Sequence, residues 1–185
     1  MARSASLNLR PQPHDPGCAA RFTLEPRTAA HAEALFAVLC EPALYEHLDE
    51  EPPSSVEALR HKLARSESCK SPDGSEHWLN WVVRDGSGQI AGYVQATVYP
   101  NREANVAYVI GSSHAGRGIA SAAAEQMMGI VAAEFGVHTF LIRSERENLR
   151  SVRLAQRLGF MGASTEQQTS RGIMASEVLM QRAAR

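Results

Sequence analysis

Two stretches of the chain carry residue types whose spacing suits chemistry. The first reads GSSHAGRGIAS from Gly111 to Ser121, and its Gly116 and Gly118 lead into an alanine-rich segment. A glycine-bearing turn that feeds a helix presents unpaired backbone N–H groups and the positive end of the helix dipole, which suits phosphate. The second is Asn148 with Ser151. Residues three apart share one helical face, as two polar groups must to meet one ligand. Each stretch also has a plainer reading. The glycines suit a tight turn with no ligand. They also suit a dinucleotide fingerprint, since Gly116, Gly118 and Ser121 approach G-x-G-x-x-G without its last glycine. Asn148 can simply cap a helix whose first turn holds Ser151.

The elements that must position these residues follow from periodicity. Val106 to Ile110 is a short apolar run closed by Gly111, as a buried strand would be. Ile119, Ala123, Met127, Val131 and Phe135 recur every four residues and predict one helical face. Upstream, Arg21 to Pro26 reads as a strand. Helices are expected over Ala29–Cys40, with Ala34, Leu35, Val38 and Leu39 inward, and over Val56–Arg65. Trp78–Arg84 and Gln89–Tyr99 read as strands around a Gly-rich turn. Downstream come a strand at Val137–Arg143, a helix at Asn148–Leu158 ended by Gly159, and strands at Phe160–Ala163 and Ile173–Gln181 joined by a polar loop. The order β-α-α-β-β-β-α-β-α-β-β predicts a single α/β (α+β) domain. Its sheet is mixed and mostly antiparallel, with helices on both faces and a parallel crossover from Val106 to Arg143. A dinucleotide domain would alternate βαβ from its start and place its glycines early.

Composition narrows the function classes. The 185 residues suffice for one core, and a formal net charge of −1 offers no general nucleic-acid surface. Cys18, Cys40 and Cys69 are widely spaced, and none of the seven histidines pairs at metal-ligand spacing, so no metal site is expected. No apolar run has the ~20 residues of a membrane span. The expected setting is cytoplasmic, with residues 1–20 as a flexible arm and 21–185 as the domain. A monomer or a homodimer fits equally.

Three pieces in this order resemble the GCN5-related N-acetyltransferase (GNAT) superfamily, and more closely its ribosomal-protein alanine N-acetyltransferase branch. They are RFTLEPR at Arg21, HAGRGIA at His114 and ENLRSVRLAQRLGF at Glu147. The resemblance runs from about Phe22 to Met180. It implies an acetyl-CoA-dependent transfer of acetyl to a primary amine. The loop Ala115, Gly116, Arg117, Gly118, with Ile119, Ala120 and Ser121, would bind the pyrophosphate through backbone N–H groups. Tyr108, Val109 and Ile110 would pair with the pantetheine arm as an added strand, with an N–H near Val109 or Ile110 meeting the thioester carbonyl. Asn148 would bind the pantetheine and Ser151 the sulfur. Two positions depart from the family pattern. Ala115 stands where a glutamine or arginine is usual, and Ala155 stands where many relatives carry a proton-donating tyrosine.

The acceptor is less legible. Asn105 matches a position that often holds a glutamate base, leaving Glu103 and Glu166 as candidate carboxylates, each equally readable as a solvated surface group. An α-amine has a pKa near ~8 against ~10.4 for lysine, so deprotonating the lysine costs roughly 3 kcal/mol more at neutral pH. A site with only a weak base therefore suits a protein or peptide N-terminus best. A small-molecule amine and a non-catalytic coenzyme A-binding domain are the alternatives. The acidic segment with Glu41, Glu46, Asp49, Glu50 and Glu51 could attract a cationic acceptor, or be a solvated loop. His114 could reach the coenzyme, and Trp78 or Trp81 could line an acceptor pocket.

Overall fold

Alternating apolar residues make the first half of the sheet. The computed structural model describes residues 12–13, 22–47 and 50–184. Strands β1 (Gln12–Pro13), β2 (Phe22–Pro26), β3 (His77–Asp85), β4 (Ile90–Val98) and β5 (Glu103–Ile110) each run antiparallel to the one before. Strands β6 (Thr139–Glu145), β7 (Met161–Gly162) and β8 (Glu177–Ala183) complete an eight-stranded sheet in the order β1-β2-β3-β4-β5-β6-β8-β7. The two halves join through the parallel pair β5–β6, reached by the 17-residue helix α3 (Ile119–Phe135).

The period-two pattern of each strand divides the core between two faces. On one face Val106, Tyr108 and Ile110 pack with α3 and with α4 (Leu149–Arg157). On the other, Tyr93 and Val109 pack with α1 (Ala32–Leu39) and α2 (Val56–Ser66). Helix α3 keeps its expected limits because Gly118 and Gly136 both adopt left-handed conformations that end it. Leu35 and Leu39 of α1 are buried as expected, but Ala34 is exposed and Ala32 takes the inward place. Leu149 is exposed too, since α4 turns its first residue to solvent.

Two further expectations change. The stretch expected as a polar loop contains a short helix, α5 (Thr165–Ser170). Ser164 and Gln167 cap each other's backbone there, so the helix needs no apolar face. Within the stretch expected as an arm, Gln12 and Pro13 pair with Leu24 and Thr23.

Strand β5 pairs with β4 along Ala104–Ile110 but with β6 only over Glu103–Asn105. Beyond Asn105 the two central strands part, and β6 continues with β8 alone. Gly92 on β4 allows β5 to hold its side of this opening. A Cβ built at Gly92 would lie 2.0 Å from the Val109 carbonyl oxygen. Gly92→Ala must therefore push β5 off β4. We expect a loss of about 2 kcal/mol or more, read as a fall in Tm of roughly 4–8 °C for a chain this size. An unchanged Tm would mean that the strands do not depend on this contact.

Candidate active site

The parting of β5 from β6 leaves the backbone of Val106–Ile110 without sheet partners on that side. Buried N–H and C=O groups need partners, so a row of them is a place for an extended, amide-bearing ligand. Tyr108, Val109 and Ile110 lie along this open part. At its closed end the Asn105 amide donates to the Tyr99 hydroxyl at 2.7 Å.

The expected loop residues gather at one mouth of the opening. Ala115, Gly116, Arg117 and Gly118 are exposed, and Ile119, Ala120 and Ser121 form the first turn of α3. Gly118 has φ +76°, a conformation that side chains strain, and a Cβ there would meet no atom within 4 Å. The glycine is needed for the turn, and the space beside it is open. No side chain caps the helix, and its first backbone bond runs from the Ala122 N–H to the Gly118 carbonyl. The N–H groups of Ile119, Ala120 and Ser121 therefore point at no acceptor within the helix. This cradle fits a pyrophosphate, and Ala115 leaves the work to the backbone.

The loop is tied down from behind. His114 is buried, with Nε2 3.2 Å from Asp85 Oδ2 and Nδ1 3.0 Å from the Ser113 hydroxyl. Both ring nitrogens are engaged, so His114 anchors the loop to the end of β3. The Ser112 N–H donates to Glu41 at 3.1 Å, a second tie. Asp85 is held down at about 2, chiefly by the Ser87 hydroxyl against the opposing effect of burial, with the Gln89 and Ser87 N–H groups and His114 adding. A depressed carboxylate stabilises fully above its unfolded value near ~3.9. That contribution is lost progressively below that value, as the pH falls through about 2.

The start of α4 closes the opening. Asn148 Oδ1 accepts from the Ser151 N–H at 3.1 Å, so the asparagine does cap the helix, and its amide nitrogen is left for a further partner. Across from it, the Tyr108 hydroxyl donates to the Ser151 carbonyl at 3.1 Å and lies 3.4 Å from Ser151 Oγ. Burial raises the phenol, partly offset by the hydrogen bond from Ser151, so it stays protonated at neutral pH. Tyr108 was expected here only through its strand backbone, and the contact of its hydroxyl with Ser151, 43 residues away, is one that local pattern could not show. Ala155 is fully buried one turn on.

The candidate carboxylates are not gathered at the opening in the same way. Glu103 sits at the closed end, bonded to Arg171 and to the Asn101 amide at 2.8 Å. Burial would raise it, but Arg171 and Asn101 together hold it below the usual glutamate value. Glu166 is exposed in the first turn of α5. Trp81 belongs to the core, whereas Trp78 lines a cavity beside α2.

Two substitutions test the cradle. Gly118→Asp places a negative charge where an anion should sit and is expected to abolish coenzyme A binding by calorimetry in a folded protein. Gly118→Asn, which tolerates the same backbone and is neutral, should retain part of it. Equal affinity for all three proteins would remove the phosphate assignment. Asp85→Asn should cost about 1–3 kcal/mol of stability and raise the KM for acetyl-CoA more than it lowers kcat. A selective loss of kcat would instead put Asp85 in the chemistry.

Comparison with known proteins agrees with this fold. A family model described as "Acetyltransferase (GNAT) domain" matches residues 21–161. No curated protein sequence matches. An acetyltransferase (GNAT family) from Bacillus anthracis superposes with a TM-score of 0.73 at 16% identity, covering 90% of this chain and 96% of that one. RimL, the ribosomal L7/L12 alpha-N-protein acetyltransferase in complex with coenzyme A, gives 0.72 at 22%, covering 88% and 93%. Spermidine N-acetyltransferase from Vibrio cholerae, with CoA and spermine, gives 0.69 at 18%, covering 88% and 95%. The match over 21–161 includes the parted strands, the glycine loop and the start of α4, and through it the chain belongs to the GNAT family of N-acetyltransferases.

Proposed function

We propose that this N-acetyltransferase moves the acetyl group of acetyl-CoA to the α-amine of a protein or peptide N-terminus. The observation that carries the reading is the pair of hydroxyls, Tyr108 and Ser151, in contact at the edge of an opening in which no strong base stands among the described residues. Such a site favours an amine that is already partly neutral at neutral pH. The likeness to RimL supports the same acceptor class. A small-molecule amine is the second reading, favoured by the likeness to spermidine N-acetyltransferase.

In this reading the loop from Ala115 to Ser121 takes the pyrophosphate on its N–H groups. Val109 and Ile110 pair with the pantetheine amides, and one of their N–H groups polarises the carbonyl. The Asn148 amide nitrogen holds the arm near the sulfur. Acetyl-CoA supplies an activated acyl group, and the chain's part is to orient it, exclude water and hand a proton to the sulfur as negative charge grows there. Ser151 is the donor on α4 and regains its proton from water, and Tyr108, which donates to the Ser151 carbonyl, holds it in place. The proton released by the amine leaves to water, with Glu103 and Glu166 as the carboxylates closest in kind to a relay.

A donor that acts only as charge develops changes kcat rather than binding. Ser151→Ala is expected to lower kcat about ten- to a thousandfold, with little change in the KM for acetyl-CoA. Tyr108→Phe should lower kcat as well. The double variant should lose little more than the worse single one, because the two hydroxyls act as a unit. Single-turnover rates measure this free of product release. Wild-type rates in Ser151→Ala would leave the hydroxyl as part of the cap alone, and fully additive losses would separate the two roles.

A further inference from the structure

On the face opposite α3 and α4, a cavity of about 280 Å³ lies between α2 and strands β3 and β4. Its floor is Trp78, Asn80, Gln95 and Thr97, and its cations are Arg27, Lys62 and Arg65. Gln95 and Thr97 stand opposite Ala107 and Asn105 in the β4–β5 register, so the cavity lies level with the start of the parted strands. Ala107 is exposed and offers no bulk between the two. A ligand lying on this face can therefore reach from the cavity to the opening.

Arg27 sits deepest. Its guanidinium packs 4.7 Å over the Tyr93 ring and donates to Asn80 Oδ1, while its buried Nε has no partner. Among the described residues no carboxylate forms an ion pair with it, and Glu50 acts on it only at longer range. Tyr93 gives no negative charge either, because burial pushes its phenol up to about 12. Burial disfavours the charged guanidinium, yet arginine keeps its proton in proteins. A buried cation without a direct ion pair is costly and attracts an anion. At the rim, Arg65 is exposed, and Lys62 pairs with Glu50 at 3.2 Å in solvent. That exposed pair exchanges partners cheaply. Glu76, behind Trp78, is occupied by the indole N–H at 2.8 Å. Among the described residues the lining carries a net positive charge, and Glu50 is paired with Lys62.

We infer that the acceptor is an anionic amine, whose negative group binds to Arg27, Arg65 and Lys62 while its amine enters between β5 and β6. Two strand spacings separate β3 from β5, about 10 Å. On an extended peptide that span places the acidic group at the second or third residue from the amine. The peptide form rests on the N-terminal reading above, whereas the preference for negative charge does not. It runs against a polyamine acceptor.

The test uses the full chain, acetyl-CoA and thiol release. Three hexapeptides share an N-terminal alanine and carry two aspartates, two asparagines or two lysines at their second and third positions. A matched pair of small amines, 6-aminohexanoate and 1,6-diaminohexane, runs beside them. The aspartate peptide should exceed the lysine peptide in kcat/KM by at least about tenfold at low salt, with the gap narrowing as salt rises. Arg65→Glu, at an exposed site that should not disturb folding, is expected to cancel or invert the order. Arg27→Gln should do the same where its Tm shows it folded. A lysine preference, no preference, or an order unchanged by Arg65→Glu overturns the inference and leaves the N-terminal reading standing. If no peptide is turned over, the N-terminal reading falls. The small amines then decide the charge: 6-aminohexanoate preferred supports the inference, while 1,6-diaminohexane preferred, or neither used, overturns it.

Discussion

A backbone that loses its hydrogen-bonding partner in mid-strand must find another or lie open to one. That constraint organises this protein. Strand β5 is held firmly on one side by β4 and for only three residues on the other by β6. Everything else serves the gap so formed. Gly92 lets β5 stay close to β4, α3 and α4 wall one face, and α1 and α2 wall part of the other. Two polar ends follow from the same arrangement. The glycine cradle lies at the head of α3, and the two hydroxyls meet at the head of α4.

The loop that makes the cradle could not keep its shape from its own sequence. It is exposed and glycine-bearing, and its rigidity is borrowed from the buried His114–Asp85 contact and from Glu41. The left-handed turn at Gly118 and the burial of Asp85 are thus two parts of one device: the first points N–H groups outward and the second holds the loop from behind.

Local pattern was enough wherever a residue's role depends on its neighbours in the chain. The limits of α3 were legible because its apolar residues repeat every four and glycines stand at both ends. Leu35 and Leu39 were legible in α1 from the same spacing. The antiparallel run and the parallel crossover followed from the order of elements. Helix α5 was not legible, since it is polar all round and held by mutual capping. Nor was the role of the Tyr108 hydroxyl, which meets Ser151 43 residues away. The cavity cations come from the end of β2 and from α2 and form no sequence motif. His114 read as a possible ligand contact because its sequence neighbours are loop residues, while its real partner, Asp85, is 29 residues distant.

A sheet with a gap in it has more edges than two, and exposed strand edges invite other chains to pair with them. Here the outermost strands, β1 and β7, are two residues long, and one of them contains a proline. Among the described residues these strands offer little for a second molecule to extend. The longer stretch of unpaired backbone is turned inward, recessed between two layers of helices. The same hydrogen-bonding capacity that would make an outer edge sticky is thereby confined to a slot, where an amide-bearing thread can use it and a neighbouring sheet has no line of approach.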